Sequence, residues 1–256
     1  MDGKTFRNLL GDVWKSLLDL ALPRVCVVCS AKLLRMERHI CWRCLSDLPV
    51  THFQERDHNP MADRWNESIK RFTIDGDREP YSFAAALFYY SSESGFRNIA
   101  WALKYKRNIG QGRYFARILG EKLASSGLFA DVDCIIPVPL HWTRLLKRGY
   151  NQSNVIAEGI SPYLPSAGTL NALKRTRRTR TQTRIGIQGK AANVADAFAV
   201  KPECAGRLLT CRHILLVDDT FTTGATLASC FSALRKVLPS SIRISCATLD
   251  FVSDDL

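Results

Sequence analysis

His213-Ile-Leu-Leu-Val-Asp-Asp-Thr-Phe-Thr-Thr-Gly-Ala-Thr226 is the stretch from which the rest of the chain can be read. Four apolar residues, Ile214 to Val217, run into two adjacent acids, Asp218 and Asp219, and a loop of hydroxyls with one glycine follows. Leu227, Cys230, Phe231, Leu234 and Leu238 then recur at helical spacing. Periodicity alone predicts a buried strand, a loop and a helix start. The first turn of a helix offers N–H groups with no partner inside the helix, at the positive end of its dipole. Thr220, Thr222, Thr223 and Thr226 add hydroxyls, and Gly224 lets the backbone approach a ligand closely. Such a corner suits a phosphate. The two carboxylates suit hydroxyl groups or a divalent cation. A sugar phosphate has both ends of that description. No Gly-Lys-Ser/Thr follows the loop, which excludes a Walker A site. A phosphatase or receiver domain would use one acid as nucleophile, but gives no reason for the threonine–glycine run.

Around this stretch, strands alternate with helices. A strand is expected at Phe83–Tyr90, then a helix with Phe96, Ile99, Ala100 and Leu103 on one face. A basic loop follows, with Lys104, Lys106, Arg107, Gly110 and Gly112, then a helix over about Tyr114–Ser125. Val132–Val138 reads as a strand, Gln152–Ile160 as a helix and Thr169–Leu173 as a short strand. The last strand is expected at Ile242–Leu249. The alternation implies an α/β fold: a mainly parallel sheet with helices on both faces, taking its ligand beyond the carboxyl ends of the strands. Residues 81–256 form this domain. Residues 51–80 are polar and rich in turn signals, and read as a linker or insertion.

Cys26-Val-Val-Cys29 and Cys41-Trp-Arg-Cys44 form two Cys-x-x-Cys pairs, and four thiolates complete a tetrahedral zinc shell. With every place filled by protein, such a zinc is structural, in a lobe spanning residues 22–50. Redox dithiols are the functional rival. Nine cysteines without a secretory signal point to the reducing cytoplasm. Cys134, Cys204, Cys211, Cys230 and Cys246 read as small apolar residues, and the histidines as surface or capping residues. Residues 1–21 carry a helical apolar stripe, broken for a signal peptide by Asp12, Lys15 and Asp19. No apolar run is long enough to span a membrane. The net charge of +12 favours a polyanionic partner, nucleic acid or phosphorylated substrate.

The motif resembles the 5-phosphoribosyl-1-pyrophosphate (PRPP) loop of type I phosphoribosyltransferases. That resemblance puts the ribose hydroxyls on Asp218 and Asp219. It puts the 5′-phosphate on Thr220, Thr222, Thr223, Gly224, Ala225 and Thr226. Three further segments, Pro137–Gln152, Arg175–Gln182 and Asn193–Phe198, together with the cysteine pairs, make the chain similar to the ComF/ComFC family over roughly residues 22–250. That family joins a zinc ribbon lobe to a type I phosphoribosyltransferase-like domain and is associated with DNA uptake in competent bacteria. The resemblance implies competence proteins, such as a helicase or a DNA-processing protein, as partners. No amino-terminal cysteine nucleophile or glutaminase domain is present, so glutamine-dependent amination is not implied.

PRPP chemistry needs cations around the diphosphate, which Mg²⁺ normally joins. Lys104, with Lys106 and Arg107, is a candidate for that side. Arg144–Gln152 stands where this fold keeps its mobile loop, with Arg148 as the closing charge and Gly149 as the hinge. Arg175, Arg177, Arg178, Arg180 and Arg184, interleaved with threonines, could follow the phosphates of single-stranded DNA or serve the substrate loop. Tyr105, Trp142 and Tyr150 could stack unpaired bases. Two functions follow as expectations. One is a competence-associated PRPP-binding protein that contacts single-stranded DNA. The other is a Mg²⁺-dependent phosphoribosyltransferase with an unknown acceptor and no nucleic-acid role.

Overall fold

A computed structural model describes residues 23–72, 79–176 and 197–253. The amino-terminal stripe of residues 1–21 lies outside them. The cysteine lobe comes first, closed by a short helix, α1 (Trp42–Ser46), which begins directly after Cys41. Glu37 is buried there, and its carboxylate accepts from the N–H groups of Leu34 and Trp42, tying the two halves of the lobe together. His39 stacks on Tyr114 of the main domain at 5.6 Å between ring centres.

Residues 51–72 differ from the linker expectation: they carry α2 (Pro60–Lys70). Asn59 caps it, accepting from the N–H groups of Met61 and Ala62, and Pro60 supplies a pre-set first turn. Its apolar face holds Met61, Ala62, Trp65 and Ile69, all buried. The Trp65 indole donates to the Ile244 carbonyl, and its ring meets Phe231 edge-on. Burial of a side chain that size contributes roughly 1.5–3 kcal/mol. The segment is therefore part of the core.

The main domain then runs β1 (Ala84–Tyr90), α3 (Arg97–Tyr105), α4 (Ile109–Ala124), β2 (Cys134–Pro137), α5 (Trp142–Arg148), α6 (Gln152–Ile160), β3 (Gly168–Thr169), β4 (Leu173–Arg175), β5 (Phe198–Val200), α7 (Ala205–Leu208), β6 (His213–Phe221), α8 (Ala225–Arg235) and β7 (Arg243–Val252). Five strands form one parallel sheet in the order β1-β7-β6-β2-β3. β4 and β5 pair antiparallel in a separate ribbon, so the strand expected at Thr169–Leu173 divides between two sheets. α4 starts earlier than expected, taking in Gly110 and Gly112. Asn108 caps it by accepting from the Gln111 N–H, and a Cβ on Gly112 would collide with Leu103 of α3. Gly112 thus serves close helix packing, while Gly110 lies in the first turn of α4 beside His39 of the cysteine lobe.

The connection from β2 runs outward to β3, and that from β6 runs the other way to β7. β2 and β6 therefore flank the point where strand order reverses, the usual place for a ligand crevice. β2 ends at Pro137, opposite Val217. β6 runs on to Phe221, paired only with β7. The notch above β2 is the site.

Candidate functional site: an acid pair in a basic cleft

The strand does not stop at the acids, as the sequence suggests. Asp218, Asp219 and Thr220 lie within β6, on the part that overhangs β2. Asp218 and Thr220 pair in register with Thr248 and Asp250 of β7, so these four residues share one pleated face. Ser153 of α6 donates its hydroxyl to Asp218 Oδ1 at 2.9 Å, and the Asp219 N–H donates to the same oxygen. Burial, and then the charge of Asp219, push the Asp218 carboxyl up to about 7. Lys104 reaches over from α3. Its ammonium donates to the Thr220 hydroxyl at 2.8 Å and lies 3.6 Å from Asp219 Oδ2. Burial alone would lower the pKa of this lysine, but Asp219, Asp250 and Asp218 outweigh it and raise it.

Beyond β6 the loop turns at Gly224, with φ +71°, where a Cβ would meet the Phe221 ring at 2.8 Å. Glycine is required here both by backbone and by space. α8 begins at the next residue, with the Thr223 hydroxyl accepting from the Ala225 N–H. Arg64 of α2 donates to the Thr222 carbonyl and so braces the loop from behind. The result is a helix start aimed at the end of the acid strand.

These groups line a cleft of about 600 Å³. Asp218, Asp219, Thr220, Thr222 and Thr226 form one wall. Lys104, Arg107, Arg144, Lys147, Arg148 and Arg175 supply the cations. Thr223, Gly224 and Ala225 shape the loop without lining the cleft. Lys106 is turned away, over the Trp101 ring. Arg177, Arg178, Arg180 and Arg184 lie outside the described residues. The segment expected as a mobile loop is the helix α5, capped by the His141 side chain and ended by Gly149 in the left-handed conformation, φ +84°. Gly149 is thus a helix terminator here. Tyr150, expected as a stacking surface, donates its hydroxyl to the Leu103 carbonyl and packs against the core. Tyr105 and Trp142 remain exposed, with the Arg148 guanidinium over the Tyr105 ring. Sequence reasoning missed Ser153 and Asp250. Neither has a local signal, because sheet pairing and helix packing bring them to the acids.

The lobe holds the second cluster. The Sγ atoms of Cys26, Cys29, Cys41 and Cys44 all lie within 4.8 Å of one another. Cys29 and Cys41 are 3.8 Å apart. A tetrahedron with Zn–S of about 2.3 Å has edges of about 3.8 Å, so the thiols fit zinc. Burial raises the Cys26 thiol, but the backbone N–H groups of Cys29, Cys41 and Val28 prevail and bring it down to about 7. That environment favours a thiolate at Cys26, while burial and the neighbouring thiols raise Cys44. Among the described residues no helix is long and apolar enough to cross a membrane.

No protein-family model matches the chain. It is 28% identical over 244 residues to the DNA utilization protein YhgH of Escherichia coli O157:H7, spanning 92% of this chain and 96% of that protein. It is 33% identical over 112 residues to Competence protein F of Haemophilus influenzae, spanning 44% and 48%. It is 25% identical over 217 residues to Competence protein ComFC of Bacillus subtilis, spanning 84% and 79%. The chain is a homologue of these proteins, which bears out its resemblance to the ComF/ComFC family.

Proposed function

We propose that the cleft binds a phosphorylated ribose of the PRPP kind, and that the protein has a competence-associated role in handling DNA, in contact with single strands. The names of its homologues support the second half of this reading. One observation carries the first half: six cationic side chains face two carboxylates across a single cleft at the carboxyl end of β6. Such a lining favours a ligand with strong negative charge at one end and hydroxyls at the other. The acids would accept from the sugar hydroxyls. The Thr220–Thr226 corner and the start of α8 would take the terminal phosphate. Lys104, Arg148 and their neighbours would hold the diphosphate. Mg²⁺ would arrive on the diphosphate oxygens, neutralising their charge, since the cleft offers the ion no closed cage of its own. The exposed Trp142 and Tyr105 rings, with Arg148 and Arg175 beside the cleft, suit stacking and phosphate contact with unpaired nucleotides.

A second reading gives the same cleft the Mg²⁺-dependent transfer of the ribosyl group to an acceptor, with no nucleic-acid role. Pure protein incubated with PRPP, Mg²⁺ and candidate acceptors separates the two readings. Acceptor-dependent pyrophosphate release supports transfer. Binding of PRPP and of single-stranded DNA without release supports the binding role. Absence of PRPP binding overturns both.

A further inference from the structure

Asp250 lies on β7, opposite Thr220 in register, and is fully buried. Neither of its carboxylate oxygens makes a hydrogen bond of acceptable geometry, although the Thr220 hydroxyl gives it some polar support. A buried ionised carboxylate without hydrogen bonds is costly, so such a group keeps a cation beside it or carries a proton. The cation nearest to that role is Lys104, which meets Asp250 not as an ion pair but across Thr220, whose hydroxyl accepts from its ammonium and whose register partner is Asp250. The charged or polar groups acting on Asp250 are Lys104 from α3 and Asp219 and Thr220 from β6, while β1 opposes it with Phe88.

Lys104 therefore has two sets of claimants. Beneath it are the acids; on its other side is the cleft it helps to line. A phosphate in the cleft draws the ammonium away from the acids. Asp219 retains solvent, with its side chain 16% exposed. Asp218 retains the Ser153 hydroxyl and the Asp219 N–H. Asp250 retains no solvent and only the weak polar support of the Thr220 hydroxyl. We propose that Asp250 is a positioning residue, anchoring Lys104 beneath the empty cleft and taking a proton from solvent when an anionic ligand draws the lysine off. Burial holds the Asp250 carboxyl up at about 7, so either protonation state is within reach near neutral pH.

This inference rests on the reading of the cleft as an anion site, and the test separates the two. Inorganic pyrophosphate, without Mg²⁺, is titrated into the full chain in buffers of different ionisation heat, between pH 6.5 and 8.5. The wild type is expected to take up more protons per pyrophosphate than Asp250→Asn. Its affinity should also fall more steeply with pH, by up to about tenfold per unit at full coupling. Pyrophosphate's own titration is common to both proteins and cancels in the difference. Lys104→Met, compared directly with the wild type, is expected to lose the extra proton uptake as well, which keeps the proposal testable should the Asn variant fold poorly; undiminished uptake in Lys104→Met overturns it. Equal proton uptake and parallel pH profiles in wild type and Asp250→Asn overturn the role of Asp250 while leaving the cleft an anion site. No pyrophosphate binding by the wild type overturns the reading of the cleft, and this role with it.

Discussion

In the cysteine lobe, four thiols converge on one point, and every coordination place is filled from the chain. In the cleft, six cations and two carboxylates face a space that the chain leaves to a visitor. Both are clusters of groups that repel their own kind. The first can resolve its repulsion by closing around an ion, which would make it a strut. The second keeps its repulsion, which, on the function proposed above, a ligand would relieve. Burial first, and then the charge of Asp219, raise the carboxyls of Asp218 and Asp250.

The contrast can be broken most forcefully at the lobe. Replacing Cys26 and Cys29 by Ser is expected to remove about one zinc per chain and unfold residues 23–50, since structural zinc supplies roughly 10–16 kcal/mol in isolated fingers. Metal analysis and limited proteolysis check this; unchanged zinc content and melting would refute the strut. At the cleft the same kind of deletion should spare the fold. Asp218→Ala with Asp219→Ala is expected to weaken PRPP binding by at least about a hundredfold, or about 2.7 kcal/mol, without lowering the melting temperature. Calorimetry and thermal melting of the one variant read both quantities, and retained binding would move the ligand elsewhere.

A smaller effect is expected where the loop is strained. Gly224→Ala should cost about 1–2 kcal/mol in denaturant unfolding, because an L-residue resists φ +71° and its Cβ meets Phe221. The smallest effect sharpens the contrast by pH. A carboxyl whose pKa is higher in the folded protein than in the unfolded chain contributes stability below the unfolded value, and that stability is lost as pH rises through the folded value. Asp218 is such a group, moving from 3.8 up to about 7. Asp218→Asn is therefore expected to raise the melting temperature by a few degrees at pH 8 and by less at pH 5. An equal shift at both pH values would show that repulsion is not the cause.

The elements carrying the motif are legible in the sequence because their signals are local. Ile214–Val217, the two acids and the hydroxyl loop lie next to one another in the chain, and the Cys-x-x-Cys pairs announce themselves by spacing. The helix at Pro60–Lys70 reads in the sequence as a linker: Asn59–Pro60 passes for a turn signal, and the charged residues hide the stripe of Met61, Trp65 and Ile69. The glycines at 110 and 112, which read as loop signals, lie in the first turns of α4, and Gly112 is a contact between helices. Asp250 carries no signal at all. It lies in a strand that reads as ordinary core, and only the register with Thr220 sets it beneath Lys104. Arg144 and Lys147 reach the cleft from a helix where a loop was expected, so their charges were legible and their fixed placement was not.

The sheet order carries one consequence for how the molecule is made. β1 is the first strand of the sheet in chain order, yet its neighbour is β7, the last of that sheet's described strands to leave the ribosome. The same late strand is the sole partner of β6 beyond Val217. Nascent chains therefore pair the backbone of β1 with residues 49–51 alone until β7 has emerged, and the carboxylate-bearing overhang sets only with that strand.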